Sequence, residues 1–207
     1  MEFWYLQLSI LCRYILKSVS ELKHTQCHSY WSGALISPSW IVTTASCSYG
    51  DNAKVTPDTV HVVLGEETLG QSSNYFKVSD VSQVVTHPDY SSSTKANNIA
   101  LWKLSSPVSV ETYTRMCLPA QDSTAAGNVK LVGWRISEVV GSLSQSLQET
   151  STSVVSSSDC GASSDIVCTG TNTRCQGDVG APLVQVLFHI NITLTWPWHE
   201  LKENMIS

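Results

Sequence analysis

The strongest candidate for a reactive site in this sequence is one ten-residue loop. Its sequence is Cys175-Gln176-Gly177-Asp178-Val179-Gly180-Ala181-Pro182-Leu183-Val184. Its two glycines flank a central segment and permit a tight turn, and the apolar pair after the proline predicts entry into a buried strand. Such a turn presents one side chain together with several backbone N–H groups. That side chain belongs to Val179, a branched hydrocarbon with no oxygen that could attack a carbonyl. The loop therefore offers hydrogen-bond donors without a nucleophile.

An alternative catalytic mechanism would use the thiol of Cys175 as nucleophile, with His61 or His87 as its base. Nothing in the spacing pairs this cysteine with either histidine. The alternative for Cys175 is a structural half-cystine, and the alternative for each histidine is a strand or loop residue with a local hydrogen bond. We favour these structural interpretations.

The loop resembles the nucleophile loop of trypsin-like serine proteases, Cys-Gln-Gly-Asp-Ser-Gly-Gly-Pro-Leu-Val, at eight of its ten positions. Val179 stands where the resemblance places the serine. The run 40–47 is similar to the family's Trp-Val-Leu-Thr-Ala-Ala-His-Cys, with Ser46 at the histidine position. The run 97–104 is similar to Asn-Asp-Ile-Ala-Leu-Leu-Lys-Leu, with Asn98 at the aspartate position. The resemblance thus implies a degenerate triad in which nucleophile, base and orienting carboxylate are all replaced.

The same resemblance assigns further roles around the loop. The backbone N–H groups of Gly177 and Val179 would remain as oxyanion donors, because an amide survives a change of side chain. Thr173 stands at the base of the specificity pocket and encodes no strong preference for Lys or Arg. The sequence contains no Ile-Val-Gly-Gly run whose new N-terminus could pair with Asp178, so we expect a mobile, zymogen-like loop over 174–181.

Neither a cofactor nor a metal ion is predicted. The acidic residues Glu66, Glu67 and Asp51 are interpreted as a solvated face, although the family also uses a calcium loop. Seven cysteines without a CxxC pair disfavour a zinc site and favour disulfides in an oxidising, secretory context.

The resemblance pairs Cys160 with Cys168. It also places Trp31 where the usual partner of Cys47 would be, which leaves Cys27 as a substitute partner. The pairing of Cys12, Cys27, Cys47, Cys117 and Cys175 stays open. Asn191 begins a glycosylation sequon, in agreement with a secreted or extracellular protein.

The elements that would position these residues are short β-rich runs separated by Ser-rich loops. The resemblance covers residues 31–184 and implies an all-β fold of two six-stranded Greek-key β-barrels, the second incomplete at its C-terminal end. Residues 1–30 are interpreted as a divergent N-terminal segment and residues 185–207 as a divergent tail that does not continue the second barrel. The apolar run 3–12 is too short to span a bilayer, and it is either a signal-peptide core or a buried or misassigned N-terminus.

Length and charge limit the classes of function that this protein could have. The 207 residues suit one protease-like domain, and the net charge of −5 without any Lys/Arg run argues against nucleic-acid binding. The sequence therefore predicts an inactive serine protease homologue that binds a protease, an inhibitor or a substrate. The alternatives are an active serine-type endopeptidase and a truncated, non-functional gene product.

Overall fold

The computed structural model describes residues 19–24, 30–50, 53–69, 71, 73–119, 124–134, 144–156, 158, 167–170 and 179–185. Within these residues lie twelve β-strands: β1 (Val19–His24), β2 (Tyr30–Ser37), β3 (Trp40–Thr43), β4 (Tyr49–Gly50), β5 (Ala53–Lys54), β6 (Val60–Leu64), β7 (Lys77–Thr86), β8 (Ala100–Leu104), β9 (Asn128–Gly133), β10 (Gln148–Val155), β11 (Cys168–Thr169) and β12 (Leu183–Gln185). Two 3-10 turns, Ala45–Ser48 and Pro57–Thr59, connect strands of the first half.

Six antiparallel strands close into a barrel in the order β1-β2-β3-β8-β7-β6, and β6 returns to pair with β1. The inward positions of these strands recur with period two, as a half-buried pleated strand requires. They fill the barrel with apolar side chains, the largest being Leu35, Ile41, Leu64 and Trp102. Burial of this cluster is what holds the barrel together.

The short β-rich runs predicted from the sequence form strands of this barrel. Pro38 and Ser39 form the turn between β2 and β3, and the apolar run Val60–Leu64 is β6. The barrel also uses a strand that sequence motifs did not reveal. Strand β1 lies inside the predicted divergent segment 1–30, and it pairs with both β2 and β6.

The second half contributes a four-stranded sheet with the order β11-β10-β9-β12. Strands β9 and β10 pair over six residues, from Gln148 opposite Gly133 to Ser153 opposite Asn128. Strand β12 pairs with the other side of β9 and places Val184 opposite Lys130. The predicted all-β, trypsin-like fold is therefore confirmed, with four strands of the second sheet among the described residues.

A shared apolar core joins the two halves. It contains side chains of the first barrel and its flanks together with side chains of the second sheet: Ala34, Ile36, Trp40, Val42, Ile99, Leu101, Met116, Val132, Trp134 and Val184. Because the strand ends that carry the predicted site residues border this core, burial of the core positions them relative to one another. Among the described residues there is no helix with the length and apolar character needed to cross a bilayer.

Candidate functional site

Two of the predicted site residues are joined by a hydrogen bond. Ser46 lies in the 3-10 turn that follows β3, and Asn98 lies in the loop that leads into β8. The backbone N–H of Ser46 donates to Oδ1 of Asn98 over 2.8 Å. Pairing of β3 with β8 brings the two loops to the same end of the barrel. Ser46 and Asn98, which the resemblance places at the histidine and aspartate positions, are therefore adjacent in space.

The side chains at this end of the barrel are hydroxyls and a thiol. Thr44 Oγ1 lies 3.1 Å from Ser46 Oγ and 3.1 Å from Cys47 Sγ. A hydroxyl has no basic nitrogen that could accept a proton near neutral pH, and the amide of Asn98 is neutral. This cluster can exchange hydrogen bonds, but it cannot serve as a general base.

Val179 is held against the first barrel by its backbone. Its carbonyl oxygen accepts a 2.9 Å hydrogen bond from the backbone N–H of Ser32 and lies 3.9 Å from Cys47 Sγ. The side chain of Val179 is 44% exposed. The third predicted position is thus placed beside the turn that carries Ser46, and its apolar side chain faces solvent.

Gly180 permits this close approach. Its φ of +82° is a conformation that L side chains rarely adopt. A Cβ atom at this residue would lie 2.0 Å from the carbonyl oxygen of Ser32 and 2.4 Å from Thr43 Oγ1. Thr43 Oγ1 in turn donates a 2.7 Å hydrogen bond to that same carbonyl. The turn predicted at this glycine is therefore packed directly on β2 and β3.

Cys47 is a free, buried thiol. Cys27, which the sequence left as a substitute partner, is not bonded to it. Burial raises the pKa of the Cys47 thiol to about 11, and hydrogen bonds from Thr44 and Thr43 oppose this shift. The thiol is protonated near neutral pH, so it is a poor nucleophile there.

The two central histidines make local contacts, as expected. His61 Nδ1 on β6 lies 3.1 Å from Asp80 Oδ1, its cross-strand neighbour on β7. His87 is buried just after β7, and its Nδ1 accepts a 3.1 Å hydrogen bond from the backbone N–H of Asp89. Since each Nδ1 contacts a residue close to its own histidine, neither contact indicates that His61 or His87 acts as a base for Ser46.

The interpretation of Glu66 as part of a solvated face is wrong. Glu66 is 1% exposed, whereas Glu67 beside it is exposed. The turn after β6 directs the first carboxylate inward and the second outward. Asp51 lies outside the described residues, and the described part of the chain contains no cluster of His, Cys, Asp or Glu suited to a metal ion.

Several predicted site residues lie outside the described residues: Cys160, Thr173, Cys175, Gly177, Asp178 and Asn191. Of the loop 174–181, the structure describes only residues 179–181. Cys168 and Cys117 are each disulfide-bonded. The pairing of Cys168 with Cys160 stays a prediction.

Sequence reasoning missed Thr44 and Ser32. Thr44 lies two residues before Ser46, a spacing at which hydroxyl side chains often contact each other within a turn. The contact of Ser32 with Val179 joins distant parts of the chain, and no local pattern predicts it.

Comparison with known proteins finds relatives of this chain. The trypsin family model matches residues 19–187. Trypsin-1 of Astacus astacus is 28% identical over 166 residues, which are 74% of this chain and 70% of the relative. Chymotrypsin-like elastase family member 1 of Felis catus is 32% identical over 167 residues, or 73% of this chain and 60% of the relative. The Rattus norvegicus protein of the same name is 30% identical, with the same two shares.

The chain thus spans 60% to 70% of the length of these relatives. The family match covers most of the described strands, including β1, and includes all three positions at the site. The chain belongs to the trypsin family of serine endopeptidases.

Proposed function

We propose that this chain is a non-catalytic member of the trypsin family that binds proteins instead of cleaving them. The observation that carries the proposal is the contact between Ser46 and Asn98. At the two positions where proton transfer would need an imidazole and a carboxylate, a serine and a neutral amide meet through a backbone hydrogen bond of 2.8 Å.

The third position supports the same conclusion. Acyl transfer requires a nucleophile, a base that removes its proton, and a carboxylate that orients the base. Val179 supplies no nucleophilic atom, and loss of the nucleophile or the base alone lowers turnover on the order of 10⁶-fold in a well-studied serine protease. Backbone oxyanion donors would bind a carbonyl oxygen without any covalent step to follow.

The retained framework supports a binding role. The hydrogen bond between Ser32 and Val179, together with the contact of Gly180 with Thr43, keeps the loop docked on the first barrel despite the changed side chains. A partner that recognises the shape of such a loop is a protease inhibitor, a protease substrate or an active protease. The chain would then act as a decoy or as a regulatory scaffold.

Labelling with a fluorophosphonate probe tests the absence of catalysis. The reagent phosphonylates an activated serine, and we expect no covalent adduct on the purified chain. The cluster of Thr44 and Ser46 provides an internal control, because it contains hydroxyls without an imidazole. An adduct mapped to any serine of this chain would instead support the alternative, a serine-type endopeptidase, which the names of the relatives suggest.

Binding requires a separate measurement. A protein inhibitor of trypsin-like proteases that acts by docking against the nucleophile loop should bind the full chain and lose affinity in a Val179→Asp variant, because a charged side chain would replace an exposed apolar one. The exposed Val110, which belongs to the loop after β8, provides the control Val110→Asp. Equal affinities for the two variants would contradict binding through this loop.

We also propose an extracellular location. Support comes from the disulfide-bonded Cys117 and Cys168, since disulfides persist in oxidising compartments. The other alternative, a non-functional gene product, predicts a chain that does not fold. A single cooperative thermal transition of the secreted, monomeric chain would argue against that alternative, and its absence would favour it.

A further inference from the structure

A pair of tyrosine rings lies at the end of the first barrel that carries the candidate site. The ring centroids of Tyr49 and Tyr90 are 5.6 Å apart and the ring planes are tilted by 34°, a separation at which aromatic rings attract each other. Tyr90 is half-buried and packs against the core of the first barrel, whereas Tyr49 is 38% exposed. The exposed ring is thus supported by one that the core holds in place.

The backbone connects these rings to both site residues. The N–H of Tyr49 donates a hydrogen bond to the carbonyl oxygen of Ser46, and Tyr90 lies in the loop that leads to Asn98. The ring contact is therefore a second link between the two loops that Ser46 and Asn98 already join. A ligand bound on Tyr49 would lie next to the candidate site.

A lysine stands beside the exposed ring. Strands β4 and β5 pair Tyr49 with Lys54. Directly opposed residues share a face of the sheet, with Cβ atoms about 4.5–5.5 Å apart. Lys54 is exposed, whereas Val55 after it is buried, and the N–H of Val55 donates a 2.9 Å hydrogen bond to the carbonyl oxygen of Ser48. The anchored strand β5 therefore carries a cation on the same face as the Tyr49 ring.

The polar groups of this face are available to a ligand. Within the part of the chain that the structure describes, the hydroxyl groups of Tyr49 and Tyr90 and the ammonium group of Lys54 make no hydrogen bond or ion pair. All three can donate, and a carboxylate accepts from such donors. Asp89, the exposed residue before Tyr90, disfavours a second carboxylate at that end of the face. An anionic group is therefore favoured at the Lys54 end.

We propose that Tyr49, Tyr90 and Lys54, which we call the tyrosine surface, bind a segment of a partner protein in which an aromatic residue is followed by an acidic one. The aromatic side chain packs on the exposed ring of Tyr49, and the carboxylate pairs with Lys54. Neighbouring Cα atoms of the ligand are about 3.8 Å apart, which suits the spacing of the two side chains across β4 and β5. The inference rests on the proposed binding function and adds the chemistry of the partner to it.

The type of residue at the centre of the surface supports this role. Tyrosine is enriched among the residues that dominate binding energy at protein interfaces. It supplies a large contact area with only two side-chain torsions to fix, so little conformational entropy is lost on binding. The contact with Tyr90 holds the ring of Tyr49 before a partner arrives, which lowers that cost further.

Titration of the full chain with short peptides, followed by nuclear magnetic resonance, tests the proposal. N-acetyl-Phe-Asp-amide should shift the amide signals of Tyr49 and Lys54 until they saturate. N-acetyl-Phe-Asn-amide, which lacks the charge, should bind about twofold to fivefold more weakly, as expected for an exposed ion pair. N-acetyl-Ala-Asp-amide, which lacks the ring, should bind at least about fivefold more weakly.

Two lysine variants form a matched pair. Lys54→Gln should abolish the preference for the Phe-Asp peptide over the Phe-Asn peptide, whereas Lys77→Gln, which removes the same charge from β7, should preserve it. Tyr49→Ala should weaken binding of both phenylalanine peptides by at least about fivefold, because it removes the ring. If Tyr49→Ala does not fold, the comparison of the three peptides on the unmodified chain decides.

Equal binding of the three peptides would overturn the proposal, and so would equal effects of the two lysine variants. Inorganic phosphate at matched ionic strength provides a further check. If phosphate displaces the Phe-Asp peptide and binds as tightly, the surface holds an anion and not a protein segment, which also overturns the proposal.

The Val179→Asp variant separates this proposal from the proposed function. If the protease inhibitor binds that variant unchanged while the Phe-Asp peptide still binds at Tyr49, only binding through the nucleophile loop fails. If the inhibitor loses affinity for that variant while no peptide binds at Tyr49, only the present proposal fails.

Discussion

The backbone N–H of Ser46 donates a hydrogen bond to Oδ1 of Asn98, 2.8 Å away and 52 residues later in the chain. The donor is the main chain, so the contact does not depend on which side chain residue 46 carries. The loop geometry at this end of the barrel can therefore persist although neither side chain has the chemistry of a base or a carboxylate. The stability predictions below concern this backbone-held loop geometry, and the activity prediction concerns the side chains that the loops carry.

Replacing Asn98 tests the energetic role of that contact. Asn98→Ala leaves the partly buried N–H of Ser46 without its acceptor, and we expect a loss of about 1–2 kcal/mol in the free energy of unfolding. Asn98→Asp keeps an oxygen in place and should lose less than half as much at pH 7. Urea unfolding of the two variants measures the difference. Equal losses would mean that the contact contributes nothing to stability.

The glycine at 180 offers a comparison with a second glycine of similar backbone conformation. Gly180→Ala places a Cβ against Ser32 and Thr43, whereas a Cβ at Gly127, whose φ is +70°, would meet no atom within 4 Å. Both substitutions carry the cost of left-handed backbone, about 1–2 kcal/mol. Only Gly180→Ala adds a steric clash, so it should destabilise the chain by at least about 2 kcal/mol more.

Thermal or urea unfolding of both alanine variants provides that measurement. If Gly127→Ala were as harmful as Gly180→Ala, the docking of the Val179 turn on β2 and β3 would not limit stability.

The thiol of Cys47 makes stability depend on pH in the alkaline range. Its pKa is raised from 9.0 to about 11 in the folded chain because burial disfavours the thiolate. Between these two values the unfolded chain releases the proton and the folded chain keeps it, so the unfolded state binds fewer protons. Stability should consequently fall as pH rises, by about 1.4 kcal/mol per pH unit from this residue.

The non-titrating variant Cys47→Ser isolates this contribution. The difference between the two slopes of unfolding free energy against pH should approach the value above near pH 10, midway between the two pKa values. Parallel slopes would show that the thiol ionises as readily in the folded chain as in the unfolded one.

The first barrel could be predicted because the runs 40–47 and 97–104 resemble motifs of a family with a known fold, and the residues themselves indicated only short β-rich runs. Strand β1 was missed for a physical reason. Its sequence, Val-Ser-Glu-Leu-Lys-His, contains three charged or titratable side chains, and its place is fixed by pairing with β2 and β6 on either side. Such pairing is a tertiary effect that no local pattern reports.

At the site, the resemblance proposed Ser46, Asn98 and Val179 but could not establish how they are held. The contact of Ser32 with Val179 depends on how the second sheet docks on the first barrel. The burial of Glu66 depends on the direction of one turn, and two adjacent acids look alike in a sequence. The free state of Cys47 was also beyond prediction, because cysteine connectivity cannot be deduced from spacing alone.

Restoring the three residues together, as Ser46→His, Asn98→Asp and Val179→Ser, tests whether the triad is all that this chain lacks. In Asn98→Asp one carboxylate oxygen can keep its hydrogen bond from the N–H of residue 46 while the other reaches an imidazole, so the geometry at 46 and 98 suits the family chemistry.

Hydrolysis also requires that a substrate be held beside the nucleophile, since positioning supplies a large share of the rate. Thr173, which the resemblance places at the base of the specificity pocket, has no charge that would hold a Lys or Arg side chain there. We therefore expect the triple variant to hydrolyse no Lys or Arg peptide substrate above the rate of the unmodified chain. The control is Val179→Ser alone, which supplies a hydroxyl without a base. Hydrolysis of Lys or Arg peptides by the triple variant and not by the control would show that the three side chains are the whole deficit.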